Sequence, residues 1–182
     1  MKTESTAAYI ARLAITLLLI TAVVATGLAC VNAVTAPEIE ALNAQKTQTA
    51  IQAVLPGGGE EIAFTDDTGL VSTVYKGQSG YAVEVTPSGF NGTVTMMVGV
   101  DNAGKVLGIS VVNHTETAGL GAEAASQGAA GTAFRSQFTG MSGSVSVTKD
   151  GGQVDALTGA TITSRAVCTG VNAALNAVAK LG

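Results

Sequence analysis

Asp155-Ala156-Leu157-Thr158-Gly159-Ala160-Thr161-Ile162-Thr163-Ser164-Arg165 is a hydroxyl-rich stretch directly ahead of the most regular apolar pattern in the second half of the chain. Two small residues, Gly159 and Ala160, allow a tight backbone approach. Four hydroxyl residues fall within the seven positions from Thr158 to Ser164. Directly after them Val167, Val171, Ala174, Leu175, Val178 and Leu181 recur at helical spacing, with Arg165, Thr169, Asn172, Asn176 and Lys180 on the opposite face. The hydroxyl cluster therefore opens a helix, where unpaired N–H groups and the helix dipole favour an anion such as phosphate. A plainer reading is that Thr161, Thr163 or Ser164 caps the helix, a contribution of about 1 kcal/mol that needs no ligand.

Outward from that stretch, Ser144 to Thr148 reads as a strand ending in a Gly151-Gly152 turn. Ala122 to Ala133 is a small-residue segment whose helix propensity is diluted by Gly128 and Gly131. Before it lies His114-Thr115-Glu116-Thr117-Ala118-Gly119-Leu120-Gly121. The single histidine has no Cys or second His with which to share a metal, and reads as a hydrogen-bonding residue at a strand end. From Gly69 the period is two: Tyr81, Val83 and Val85, then Val94, Met96, Val98 and Val100, then Leu107, Ile109 and Val111. Pro87 to Gly92 and Asp101-Asn102-Ala103-Gly104 supply the turns of an antiparallel sheet.

Thr35-Ala36-Pro37-Glu38 has the pattern of a capping box with proline in the first turn, which predicts a second helix from there to Leu55, stopped by Pro56-Gly57-Gly58-Gly59. Such a helix would be about 30 Å long, a stalk or a flank of the domain. Before it, 25 uncharged residues from Leu13 to Pro37 separate Arg12 from Glu38, and Leu13 to Val31 is dominated by Leu, Ile, Val and Ala. That is enough to span a bilayer, and it explains a mean hydropathy of +0.41 in a chain of 182 residues. Lys2 and Arg12 precede the span and Glu38 and Glu40 follow it, so the positive-inside bias keeps the N-terminus cytoplasmic and the domain outside. Two other readings compete: a cleaved signal peptide, which Ala25-Thr26-Gly27 fits poorly, and a lipoprotein site at Gly27-Leu28-Ala29-Cys30, where glycine replaces the usual leucine.

Cys30 and Cys168 have neither a CxxC partner nor metal-ligand company, and so form no disulfide framework. After residue 32 there are seven Lys and Arg against twelve Asp and Glu, a net charge of −5, which offers no basic patch to nucleic acid. The class expected is α+β. Residues 1–34 are the cytoplasmic N-terminus and transmembrane anchor, 35–59 a connecting helix and Gly-rich turn, and 60–182 an antiparallel-sheet domain with flanking helices on the extracytoplasmic side.

Asp155-x-x-Thr158-Gly159-Ala160-Thr161 resembles the D-x-x-[ST]-G-A-T pattern of proteins that carry FMN as a phosphoester on the final threonine. The family resembled is the FMN-binding domain of the G subunit of Rnf complexes and the C subunit of the sodium-pumping NADH:quinone oxidoreductase. His114 to Gly121 is similar to its H-x-E-T-P-G-L-G pattern, with Ala118 in place of proline. Tyr81, Gly89-Phe90, Asn91-Gly92 and Met97 to Asp101 are also similar, as is the anchor, so the likeness runs almost end to end. The short chain favours the Rnf protein over its quinone-reductase counterpart.

The resemblance implies covalent FMN on Thr161, attached by a separate FAD:protein FMN transferase that uses the threonine hydroxyl as nucleophile and releases AMP. It implies a binding site that includes Asp155, Thr158, Gly159, Ala160, Thr163, Ser164, Glu116, Thr117, Leu120 and Gly121, with Leu120 over the apolar edge of the ring. It further implies an electron carrier within a complex that moves electrons between ferredoxin and NAD and pumps sodium ions or protons. No G-x-G-x-x-G follows a strand, so NAD and ferredoxin belong to other subunits. A stand-alone extracytoplasmic flavoprotein reductase and a non-redox surface domain are the alternatives.

Overall fold

The computed structural model describes residues 6–181 and divides into two compact units, Met1–Gln45 and Lys46–Gly182. The first unit is helical throughout its described residues, within helix α1, Thr6–Val54. Tyr9, Leu13, Leu17, Leu28 and Val34 all expose their side chains, and the helix is long and apolar enough to cross a membrane. Thr16, Thr21, Thr26 and Thr35 each donate their hydroxyl to the carbonyl four residues back, at 2.8–3.0 Å. Each of these hydroxyls is satisfied within the helix, as a residue in hydrocarbon would need.

The Thr35 bond to Val31 overturns the expectation of a new helix at that point. Thr35 is an interior residue bonded backwards, and Pro37 lies inside one continuous helix. A proline in a helix interior costs about 3 kcal/mol, but Ala36, Glu38, Glu40, Ala41, Leu42 and Ala44 are good helix formers that carry propagation past it. The far end stops as anticipated: Gly58 N–H closes on Leu55 O at 2.9 Å, and Gly57 and Gly58 have positive φ.

In the second unit Glu60–Ile62 (β1), Val71–Lys76 (β2), Gly80–Val85 (β3), Val94–Asp101 (β4) and Val106–His114 (β5) form one antiparallel sheet in sequence order. Val83 pairs with Val98, and Val98 with Ile109, so the alternating apolar residues stack on one face. Asp101 closes the β4–β5 turn, accepting from Ala103 N–H at 2.9 Å and Lys105 N–H at 2.8 Å. Helices α2, Ala129–Ser136, and α3, Thr161–Leu181, follow the sheet. The architecture is α+β.

Val83, Val85, Met96, Val98 and Val100 are fully buried against Val167, Val171 and Ala174 of α3, with Phe138, Val147 and Val154 closing the same core. Each of the valine, methionine and phenylalanine side chains contributes about 1.5–3 kcal/mol by leaving water. Gly170 allows the close approach: a Cβ there would sit 3.0 Å from Pro87 Cγ and from Val85 Cγ2. The other face is covered too, since Ala50, Ile51, Val54 and Leu55 at the end of α1 bury Ala82 and Met97.

Ser144 to Thr148 is not a strand. Val147 makes a single parallel bridge with Val154, and Thr148–Asp150 is a turn of 3-10 helix. The Gly151-Gly152 turn folds back so tightly that Gly152 and Gln153 N–H bond to Val147 and Ser146 carbonyls, which leaves no room for a ladder.

Candidate functional site

The D-x-x-T-G-A-T segment turns into α3 through Gly159, whose φ of +73° suits a residue without a side chain. A Cβ there would also lie 2.9 Å from Leu120 Cδ2. Ala160 N–H closes on Leu157 O at 3.0 Å, and Ser164 pins the turn from below, accepting from Leu157 N–H at 3.0 Å and donating to Ala160 O at 2.9 Å. Ser164 is fully buried and reaches no cleft.

Thr163 is also turned inward, and its hydroxyl donates to Glu116 Oε2 at 2.6 Å. The other oxygen of Glu116 accepts from Phe90 N–H at 2.8 Å and Asn91 N–H at 3.0 Å. One buried carboxylate thus joins the β3–β4 hairpin tip, the loop after β5 and the first turn of α3. Gly89 and Gly121 make room for it, since a Cβ on either would collide with Glu116 Oε1 or Oε2. Thr115 and Asn91 reinforce the junction with reciprocal side-chain-to-carbonyl bonds of 2.8 and 2.7 Å.

Thr161 is the hydroxyl that remains at the mouth. It is the first residue of α3, half-buried, and the Lys149 ammonium donates to its Oγ1 at 3.2 Å. Around it lies a cleft of about 400 Å³, lined by Phe90, Glu116, Thr117, Leu120, Gly121, Lys149 and Gly159 to Thr163. Outside α1, the large apolar side chains exposed among the described residues are Phe90, Leu120 and Ile162, and all three line this cleft. An apolar rim around a hydroxyl, a cation and a helix N-terminus accommodates a flat aromatic group carrying a phosphate.

The structure thus brings Glu116, Thr117, Leu120, Gly121, Gly159, Ala160, Thr161 and Thr163 to one cleft. Asp155 and Thr158 line an adjoining one of about 380 Å³ that shares Leu120 as a wall. The Asp155 backbone is bracketed by the Gln137 amide, which accepts from its N–H at 2.8 Å and donates to its carbonyl at 3.2 Å. A larger groove of about 730 Å³ beside Tyr81, Asn102 and Asn172 is lined by no basic side chain. His114 ends β5, and its Nδ1 is buried without a hydrogen-bond partner among the described residues.

Sequence reasoning assigned no role to Lys149, Phe90 or Ile162. Lys149 could have been noticed as the one basic residue between Arg135 and Arg165. Nothing local in the sequence shows that Phe90, more than 60 residues before the motif, shares its cleft.

The chain is thus an α+β domain with an apolar-rimmed cleft at a helix N-terminus, attached to an apolar helix. The FMN-binding domain family matches residues 89–176, from the hairpin tip through most of α3. Among curated relatives, the G subunit of the Na(+)-translocating ferredoxin:NAD(+) oxidoreductase complex of Acetobacterium woodii is 36% identical over 88% of this chain and 87% of its own. The G subunit of the ion-translocating oxidoreductase complex of Methanosarcina acetivorans is 32% identical over 93% of this chain and 94% of its own. A proton-translocating counterpart from Clostridium ljungdahlii is 39% identical over 54% of this chain and 52% of its own. The chain belongs to the family of G subunits of ion-translocating oxidoreductase complexes.

Proposed function

We propose that this protein is the electron-carrier subunit of a membrane-bound Rnf-type complex that couples electron transfer between ferredoxin and NAD to translocation of sodium ions or protons. It carries FMN as a phosphoester on Thr161. One observation carries the assignment of that residue. Of the four hydroxyls from Thr158 to Ser164, only that of Thr161 faces both the apolar-rimmed cleft and a cation; Thr163 and Ser164 are buried, and Thr158 opens to the neighbouring cleft.

FMN supplies reversible one- and two-electron transfer when bound. The chain's own residues bind and shield. The N–H groups of the first turn of α3 and the Lys149 ammonium meet the phosphate charge. Phe90, Leu120 and Ile162, which rim the cleft, would keep water from an apolar ring bound there. Glu116, with its oxygens engaged by Phe90, Asn91 and Thr163, fixes the shape of the cleft. Covalent attachment suits a relay, because a tethered carrier stays between fixed neighbours.

The anchor crosses the membrane with its N-terminus cytoplasmic and the FMN domain outside. Ferredoxin and NAD bind other subunits, and an FAD:protein FMN transferase completes maturation. The relatives include sodium- and proton-translocating members, so the choice of ion does not follow from membership of the family.

The test is the intact mass and peptide map of the protein purified from its own membrane. One FMN, joined with loss of water, is expected on Thr161 and should survive denaturation. Thr161→Ala should lose the flavin, retain the fold, and stop ferredoxin-to-NAD electron transfer by the assembled complex. Flavin on Thr158 or Thr163, or undiminished activity of the complex carrying Thr161→Ala, would overturn the assignment.

A further inference from the structure

The 3-10 turn Thr148–Asp150 meets the first turn of α3 at two points. Lys149 Nζ lies 3.2 Å from Thr161 Oγ1. One residue on, the Asp150 carboxylate takes both arms of the Arg165 guanidinium, Nε to Oδ2 and Nη2 to Oδ1, each at 2.7 Å. Arg165 stands one helical turn after Thr161, so both contacts lie on the same side of α3.

The second contact bears on the first. Lys149 and Asp150 are neighbours close enough to interact, and the pull on Asp150 is shared: Arg165 holds its carboxyl below the usual carboxylate range, with Lys149 adding to the effect. Yet among the described residues no carboxylate lies within ion-pair distance of Lys149. The planar fork of Arg165 occupies both Asp150 oxygens, which a lysine cannot match.

We propose that Arg165 holds Asp150 away from Lys149, and that the ammonium so freed orients the Thr161 hydroxyl for esterification and steadies the phosphoryl group as it arrives. The inference rests on the covalent reading of Thr161. In the step, Thr161 Oγ forms a bond to the FMN phosphorus of FAD. The bond from that phosphorus to the bridging oxygen breaks, and AMP leaves with that oxygen and its electron pair. Lys149 is the donor to Oγ1, so it is not the base; the hydroxyl proton passes to a base of the transferase or to water. By donating, Lys149 uses one lone pair of Oγ1 and leaves another directed outward for attack. It also sets a positive charge where a phosphate oxygen must settle. Asp150 and Arg165 are positioning residues that act through Lys149.

The experiment follows the initial rate of covalent flavin incorporation into the full-length chain in detergent, with the transferase, FAD and Mg²⁺, read by in-gel fluorescence and intact mass. Lys149→Gln should slow incorporation at least about tenfold, and Lys149→Arg should stay within about threefold of wild type because a donor cation remains. Lys149 is exposed, so neither change should alter the thermal midpoint. Arg165→Gln should also slow the reaction, since Asp150 is then free to capture Lys149. Adding Asp150→Asn to Arg165→Gln should restore most of the rate. Wild-type rates in Lys149→Gln, or an Arg165→Gln defect that the double variant does not relieve, would overturn the proposal. A wild-type chain that takes up no flavin, or takes it up at another residue, would instead remove the covalent reading on which it stands.

Discussion

Replacing Thr163 by valine tests how much its hydrogen bond to the Glu116 carboxylate stabilises the fold. Thr163 and Glu116 are 1% and 8% exposed, and their 2.6 Å bond is charge-assisted. Valine keeps the shape of threonine, so packing changes little, but Oε2 is left buried without its donor. A hydrogen bond to a charged group contributes about 1.5–3 kcal/mol, so the loss should be about 2 kcal/mol. Thr163→Ser keeps the hydroxyl and deletes one buried methyl, a loss of about 1 kcal/mol. For a domain of this size the thermal midpoint should fall by roughly 8 °C for valine and roughly 4 °C for serine. The assay is thermal melting by circular dichroism of a fragment beginning at about Ala36, with covalent flavin measured in parallel. Occupancy of Thr161 should be unchanged in both variants, because the reacting hydroxyl is intact. Equal losses for valine and serine would refute the role given to the hydrogen bond, and loss of flavin from Thr163→Val alone would mean that Thr163 takes part in attachment.

Gly99→Ala would set a Cβ against the Val54 carbonyl oxygen and 2.9 Å from Val54 C and Cβ, so it should destabilise the same fragment by about 1–3 kcal/mol; a neutral result would mean that the end of α1 is not seated on β4. Burial pushes the Cys168 thiol up to about 11, with Asp150 adding to the shift, so in the native fragment it should resist Ellman's reagent at pH 8 and react fully once unfolded. Because its folded value is the higher one, the stability this thiol contributes is present below its ordinary value of about 8.5 and is lost as pH rises towards 11. Rapid native labelling at pH 8 would contradict that burial. A cysteine introduced at the exposed Ser142 should react in intact cells with an impermeant maleimide added outside, whereas labelling only after lysis would reverse the orientation.

Features that depend on neighbours along the chain were legible before folding is considered. The period-two valines of β3 and β4, the Asp101 to Gly104 turn, the apolar run that forms α1 and the amphipathic pattern of α3 are local, and each was legible. So was the hydroxyl cluster at the start of α3, because cap and anion chemistry share the same residues. Within the first turn of α3, packing leaves only the Thr161 hydroxyl accessible: Thr163 and Ser164 differ from Thr161 only in what packs against them, and that is settled by Glu116 and Leu157. The tertiary structure decided that Thr35 lies inside a helix, since the cost of Pro37 is weighed against propagation on both sides of it. It decided that Ser144 to Thr148 forms a bridge and a turn, because Gly152 and Gln153 take the carbonyls a strand partner would need. And it brought Lys149 to Thr161 and Phe90 to the same cleft, contacts made only when the sheet, its hairpin tip and α3 pack together.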